Sequence, residues 1–154
     1  MAHRDGDGWI QCQCSSKHWG LFGAAGLVLI RDKSILLQHR APWVHNGDTW
    51  GIPGGARDSH ESALEAALRE ANEEIGIDIN LVTPIDEFVD DHGTWSYHTI
   101  IAKADPKLIA LEMNDESLDV SWINIDEIEN QKLHPSFANT WPILKEKIGF
   151  SKQG

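Results

Sequence analysis

The chain begins with a polar stretch, MAHRDGDGWIQCQCSSKHWG, in which apolar and polar positions follow no period, and this predicts an irregular arm over residues 1–20. Two apolar runs follow, Ala24 to Ile30 and Ile35 to Leu37, parted by the polar tetrapeptide Arg31-Asp32-Lys33-Ser34, a hairpin pattern. PWVHNGDTWGIPGGA is dense in Gly, Pro, Asn and Asp and predicts a loop, interrupted by a short strand near Trp50 to Ile52. A helical period then runs over residues 60–75, with Leu64, Leu68, Ala71 and Ile75 on one core stripe. Its start is marked by Asp58 or Ser59 as N-cap, with Glu61 in capping-box register with Asp58, and its end by Gly76. Beyond it IDINLV, IDEFVDD, WSYHTIIAKA and DVSWINI predict strands, and IDEIEN a short helical turn. SFANTWPILKEKIG predicts a last helix opening at Ser136, with Pro142 in its second turn as an obstacle. Strands around a central helix, with no internal repeat and no low-complexity linker, predict one domain of mixed α/β or α+β class over residues 21–150.

Composition narrows the function. The 154 residues fit one domain with a real core, and 41% hydrophobic content with seven Trp argues against disorder. The longest apolar run is too short to span a bilayer, and the polar start lacks the order of a secretory signal, so the expectation is a cytoplasmic protein with no membrane partner. A net charge of −11, from 24 acids against 13 Lys and Arg, excludes non-specific binding to duplex nucleic acid, which is driven by cations on the protein. An anionic substrate would need a divalent metal or a few placed basic side chains. Two cysteines one residue apart, Cys12 and Cys14, indicate no disulfide framework. With His18, and His3 further off, they are of the type that binds Zn²⁺, although structural zinc sites use wider pairs such as C-x2-C. An unliganded arm and a zinc-stabilised interaction module both stand. Trp-rich surfaces allow a homodimer.

The helix itself carries the sharpest chemistry. Glu70, Glu73 and Glu74 converge over one turn, although each like-charge pair at this spacing costs roughly 0.2–0.5 kcal/mol. A solvated face would explain an ordinary Glu-rich helix, but such a face mixes signs, and no Lys occurs between Asp58 and Asp78. Directly before the helix GIPGGA can turn tightly and expose carbonyls. Carboxylates and carbonyls suit Mg²⁺ or Mn²⁺, which keep waters and bridge to phosphates, so the residues point to a metal-dependent phosphate enzyme.

The same stretch resembles the signature of the Nudix hydrolases, G-x5-E-x7-R-E-U-x-E-E-x-G-U with U a bulky aliphatic residue. Gly55, Glu61, Arg69, Glu70, Glu73, Glu74, Gly76 and Ile77 stand in register, while Ala71 stands where Val, Leu or Ile is usual. Less specifically, ILLQHRAPWVHNGDTWGIPGG and ESLDVSWINIDEI are similar to segments on either side of that signature, so the likeness spans about Gly23 to Glu127. The resemblance implies an α/β/α sandwich on a mixed sheet and hydrolysis of a nucleoside diphosphate linked to another moiety. It implies that Glu70, Glu73, Glu74 and the Gly55 carbonyl hold one or more divalent ions, and that Glu61 and Arg69 brace the loop against the helix. The general base varies within the family; Glu73 is one choice, with Glu70 beside it, and Glu116 is another that can complete the metal shell or be an exposed loop acid.

Three further side chains are candidates for substrate. Arg40 ends an apolar strand and can reach a phosphate bidentately, or be an exposed structural Arg. Trp43 and Trp50, with Trp95, can stack on a base or belong to the core. The expected reaction is Mg²⁺-dependent hydrolysis of a diphosphate linkage in a small nucleotide. The competing function is a catalytically inactive Nudix-fold module that binds nucleotide or regulates. Markers of the family's ADP-ribose and dinucleoside polyphosphate branches are missing beyond the box, which leaves a nucleoside triphosphate as the default substrate.

Overall fold

The computed structural model describes residues 5–12, 17–111 and 117–153. The segment expected to be irregular contains a small antiparallel hairpin, β1 (Trp9–Gln11) and β2 (Lys17–Trp19), with Trp9 opposite Trp19. Three-residue strands leave too short a pattern to read. Gly20 N–H donates to the Gly8 carbonyl and Leu21 N–H to that of Gly6, extending the pair, while tertiary bonds anchor it: the Trp95 indole donates to the Trp19 carbonyl and Gly6 N–H to the Asp58 carboxylate.

The expected apolar hairpin forms β3 (Ala24–Arg31) and β4 (Ser34–Arg40), turning at Asp32, whose φ of 56° Asp tolerates better than most residues. β5 (Trp50–Gly51) and β6 (Gly54–Ala56) interrupt the following loop, and α1 (Ala63–Ile75) comes next. IDINLV is not a strand; Asp78 caps a 3-10 turn over Ile79–Leu81 by accepting from Asn80 N–H. β7 (Val82–Asp91) then runs longer than expected, carrying Pro84 beside a register shift on the sheet's edge, where a missing N–H is tolerated. β8 (Ser96–Ala104), β9 (Ser117–Asn124) and a 3-10 turn at Ile128–Asn130 follow. α2 spans Pro135–Gln153; it opens one residue before Ser136, on a proline preset for a first helical position, and passes Pro142 with its ring exposed.

The main sheet has the order β5-β4-β3-β8-β7, with β6 added to β3 and β9 to β4. It is mixed, because β3 and β8 run parallel from Ala24 opposite Tyr97 to Ile30 opposite Lys103, while the other pairs are antiparallel. Each face is covered by a helix. Ala25, Leu27, Leu29, Leu36, Ile100 and Ala102 pack beneath α1, and Val28, Ile30, Ile35, Leu37 and Ile101 pack on Phe137, Trp141, Leu144 and Ile148 of α2. Burial on both faces is why β3 reads as an unbroken apolar run. The result is an α/β/α sandwich. Among the described residues no helix is long and apolar enough to cross a membrane.

The buried stripe of α1 differs from expectation. Ala63, Ala66, Ala67, Ala71 and Ile75 are buried, while Leu64 and Leu68 pack on the same cluster from its flank. Small side chains let the helix settle close onto the sheet, and this determines what its glutamates can reach.

Candidate active site

Local chemistry sets the limits of α1. The N-cap is Ser62, not Asp58 or Ser59: Glu65 N–H donates to Ser62 Oγ at 3.1 Å, and Ser62 N–H to Glu65 Oε1 at 2.9 Å. Glu65 therefore completes the capping box. Glu61 instead ties the preceding loop, accepting from Asp58 N–H at 3.1 Å. At the other end Gly76 adopts φ 62° and its N–H donates to the Asn72 carbonyl. The last turn holds Glu73 and Glu74 and no basic residue. Carboxylates at a helix C-terminus face the negative end of its dipole, so their position is unfavourable twice over, by mutual repulsion and by the dipole.

Arg69 is the cation of this region. Its Nε donates to Glu61 Oε2 at 2.7 Å and its Nη2 to Glu61 Oε1 at 2.9 Å, a fork of two charge-assisted bonds. Nη2 also donates to the Ala56 carbonyl at 3.0 Å, and Nη1 to Glu70 Oε1 at 2.9 Å and Glu73 Oε2 at 3.3 Å. The hydrogen bond from Arg69 is the main reason the Glu61 carboxyl lies below its usual range. The same bond raises Arg69, which stays charged.

Glu74 is treated differently. Its Oε1 accepts from Gln38 Nε2 at 3.0 Å and its Oε2 from Gly54 N–H at 2.9 Å. Its carboxyl is enclosed, and that desolvation, reinforced by the Glu70 charge, raises its pKa to about 8. Glu70 rests on the diglycine turn so closely that a Cβ on Gly55 would lie 2.6 Å from its carboxyl carbon and would push that carboxyl aside. Tyr97 sits across that turn, its hydroxyl 2.7 Å from where a Cβ on Gly54 would be. Burial raises the Tyr97 hydroxyl, and the Glu74 and Glu70 charges raise it further.

The three glutamates share one end of the helix without meeting at a single point: Glu70 and Glu73 lean on Arg69, Glu74 on Gln38 and Gly54, and of the three Glu70 and Glu74 lie on the diglycine turn. Glu61, Glu70 and Glu73 surround one guanidinium and Glu74 is bonded to neutral donors, so the surplus negative charge suits a hard divalent cation. Gln38 and Tyr97 were not singled out in the sequence. Gln38 left a signal, as a polar residue inside a buried apolar strand needs a partner; Tyr97 left none.

Arg40 lies at the rim. Its Nε and Nη2 donate to the His45 carbonyl at 3.2 and 3.0 Å, so it clamps the 41–49 loop, while its charge is close enough to favour ionised Glu74. Trp43 stands 69% exposed on that loop. Trp50 stacks on His39 at 4.7 Å and 14°, and its backbone is bonded to Lys132 and His134 ahead of α2. Glu116 and Cys14 lie outside the described residues. Cys12 is buried, with its thiol donating to the His92 carbonyl at 3.0 Å, and His18 stacks on Trp95 at 4.0 Å; both tie the N-terminal hairpin to the β7–β8 turn. Among the described residues, a group of three metal-type side chains gathers within 4.8 Å at Asp5, Asp58 and His60. Asp5 already accepts from Ser59 N–H and Oγ, and Asp58 from Gly6 N–H, so loop capping accounts for that group.

Comparison with known proteins gives a consistent result. Residues 20–144 match the family model of the NUDIX domain. A "putative 8-oxo-dGTP diphosphatase 3" of Mycobacterium tuberculosis is 41% identical over 153 residues, covering 92% of this chain and 70% of its own length. A nucleoside triphosphate pyrophosphatase/Nudix hydrolase fusion protein of Bifidobacterium longum is 40% identical over 155 residues, which are 95% of this chain and 32% of that protein, so the chain spans about a third of it. Among solved structures, a Nudix hydrolase from M. smegmatis, RenU, has a TM-score of 0.86 at 38% identity, covering 94% of this chain and 96% of its own.

Proposed function

The chain belongs to the Nudix hydrolase family, and accordingly we propose that it hydrolyses a diphosphate linkage in a free nucleotide with the help of Mg²⁺ or Mn²⁺. The observation that carries this reading is the surplus of carboxylates at the end of α1, with Glu70 and Glu74 on the diglycine turn and Arg69 as the shared cationic partner of Glu61, Glu70 and Glu73. The donor set fits a hard cation: Glu70, Glu73, Glu74 and the Gly55 carbonyl are oxygen ligands only, and the missing Cβ of Gly55 makes the room in which Glu70 lies. Such a cation, when bound, polarises phosphoryl oxygens and lowers the pKa of water.

The remaining roles belong to the chain. Arg69 and Glu61 hold the loop on the helix, so the Gly55 carbonyl and the carboxylates keep one geometry through turnover. Glu73, the most exposed of the three and held by the longest Arg69 contact, is the group we assign to take the proton of the attacking water. Glu70 and Glu116 are the other carboxylates proposed near the reacting atoms. Arg40 faces the substrate phosphates, and Trp50 and Trp43 offer the base an aromatic surface. Zn²⁺ at Cys12, Cys14 and His18 is not part of this reading.

For substrate we propose a purine nucleoside triphosphate, the class named for the mycobacterial relative. The cytoplasm, where such nucleotides are free, is the matching compartment, and the net charge of −11 disfavours duplex nucleic acid as a competing ligand. The test is direct chromatographic measurement of the nucleotide products formed from 8-oxo-dGTP, the ordinary nucleoside triphosphates, ADP-ribose and dinucleoside polyphosphates, with no coupling enzyme present. Activity on a triphosphate that EDTA abolishes and Mg²⁺ restores is expected. Activity indifferent to EDTA would remove the cation from the mechanism, and no turnover of any compound would favour the inactive module.

A further inference from the structure

β3 and β4 pair only beside their turn, Ile30 with Ile35 and Arg31 with Ser34, and then part. Over its first three residues β3 takes β6 as partner, while β4 takes β5 and β9. Glu74 spans the parting, with one carboxylate oxygen on Gln38 of β4 and the other on the first N–H of β6. Gln38 is 3% exposed, inside a strand whose neighbours Leu36 and Leu37 are core. Burying an amide there costs free energy unless it is bonded, so an apolar residue would serve the strand better.

The kind of donor is informative. A Lys or Arg at this place would hold the carboxylate as well but neutralise it, as Arg69 does for Glu61 and Glu70. An amide and a backbone N–H orient both oxygens and bring no opposing charge. A carboxylate has about four lone-pair sites, so both oxygens keep capacity after these two bonds.

We propose that Gln38 is a positioning residue for the divalent cation: with Gly54 N–H it holds both oxygens of Glu74 in a fixed orientation through neutral donors. The proposal rests on the reading of Glu70, Glu73 and Glu74 as cation ligands. A partner that orients a metal ligand is typically worth about 10–100-fold in metal affinity.

The test is Mn²⁺ binding to the full chain without nucleotide, followed by electron paramagnetic resonance, for wild type, Gln38→Met, Glu74→Gln and the double variant. Gln38→Leu is run beside Gln38→Met in case one of them folds poorly. Thermal unfolding and circular dichroism show which variants are native. The expected result is about 10–100-fold weaker Mn²⁺ binding in native Gln38→Met or Gln38→Leu, with less than about twofold further effect when Glu74 is already replaced by glutamine. Excess Mg²⁺ should then recover much of kcat while KM for the nucleotide stays near wild type. Native variants that bind Mn²⁺ like wild type overturn the proposal, as does an undiminished effect in the Glu74→Gln background. Wild type that binds no Mn²⁺ overturns it together with the cation reading beneath it, so the two failures are distinct.

Discussion

Replacing Glu74 with glutamine should make the metal-free protein more stable at neutral pH and inactive at once. Glu74 titrates near 8 in the fold against 4.5 for a free Glu side chain, raised mainly by burial. The folded state therefore holds this proton more tightly than the unfolded chain does. The stabilisation is fully present below pH 4.5 and is lost as pH rises towards 8, by up to about 1.4 kcal/mol per pH unit. Between pH 5 and pH 7 the loss is on the order of 2 kcal/mol, or about 4–8 °C in Tm for a chain of this size.

Other groups titrate in the same range. His18 and His134 lie below their usual value, chiefly through burial, so they destabilise the fold as pH falls through 6.5 and oppose the Glu74 slope. The informative quantity is thus the difference between wild type and Glu74→Gln, in which those histidines cancel. The amide introduced by Glu74→Gln still accepts from Gly54 N–H, and the Gln38 amide can turn to meet it, so the offset left by the substitution is independent of pH. Measured by scanning calorimetry in EDTA, the Tm advantage of Glu74→Gln should grow steadily from pH 5 to pH 8. Adding Mg²⁺ should erase it by stabilising wild type alone, because ligation requires the carboxylate. A Tm difference flat across this range would refute the assignment of a raised, buried acid at Glu74.

Three further outcomes follow from the geometry. Gly55→Ala forces the new Cβ against the Glu70 carboxyl at 2.6 Å and should lower kcat at least tenfold, on the order of 1.4 kcal/mol in the barrier, while circular dichroism stays native. Arg69→Lys keeps the charge but cannot fork Glu61 and reach the Ala56 carbonyl together, so it should cost about 2 kcal/mol in urea unfolding and most of the activity; an unchanged midpoint would show that the brace is dispensable. Ser62→Ala removes the cap of α1 but touches no carboxylate of the site, and should lose about 1 kcal/mol of stability with kcat intact.

The site was legible in the sequence where its parts lie close along the chain. Glu61, Arg69, Glu70, Glu73 and Glu74 belong to one helix and the loop before it, so helical spacing alone brings them near each other. Gln38 reaches Glu74 from 36 residues away across a splayed hairpin, and Tyr97 arrives from a strand that pairs parallel with β3. No local period encodes either. The same limit applies to the N-terminal hairpin, whose strands are too short for alternation to show and which is anchored through bonds to distant backbone. The N-cap was misplaced for a different reason: Asp58-to-Glu61 and Ser62-to-Glu65 are both capping-box pairs by spacing, and only the backbone decides which one opens the helix.

The largest correction concerns which face of α1 meets the sheet, and it explains the site. Weighting the period by bulk selects Leu64 and Leu68, which would set the glutamates apart on a face of their own. In the fold the alanines lie against the sheet, and the line Ala63, Ala67, Glu70, Glu74, with steps of four, three and four, is one seam down the helix. Its first half is apolar and rests on β3; its second half runs onto the diglycine turn, where Gly55 leaves room for one carboxyl and Gly54 bonds the other. Bulkier residues at Ala63, Ala66 or Ala67 would lift the helix and withdraw both glutamates from that turn. The alanines therefore set the depth of the site, and Ala67→Leu should impair catalysis through the position of Glu70 and Glu74 even where enough of the fold survives to be measured.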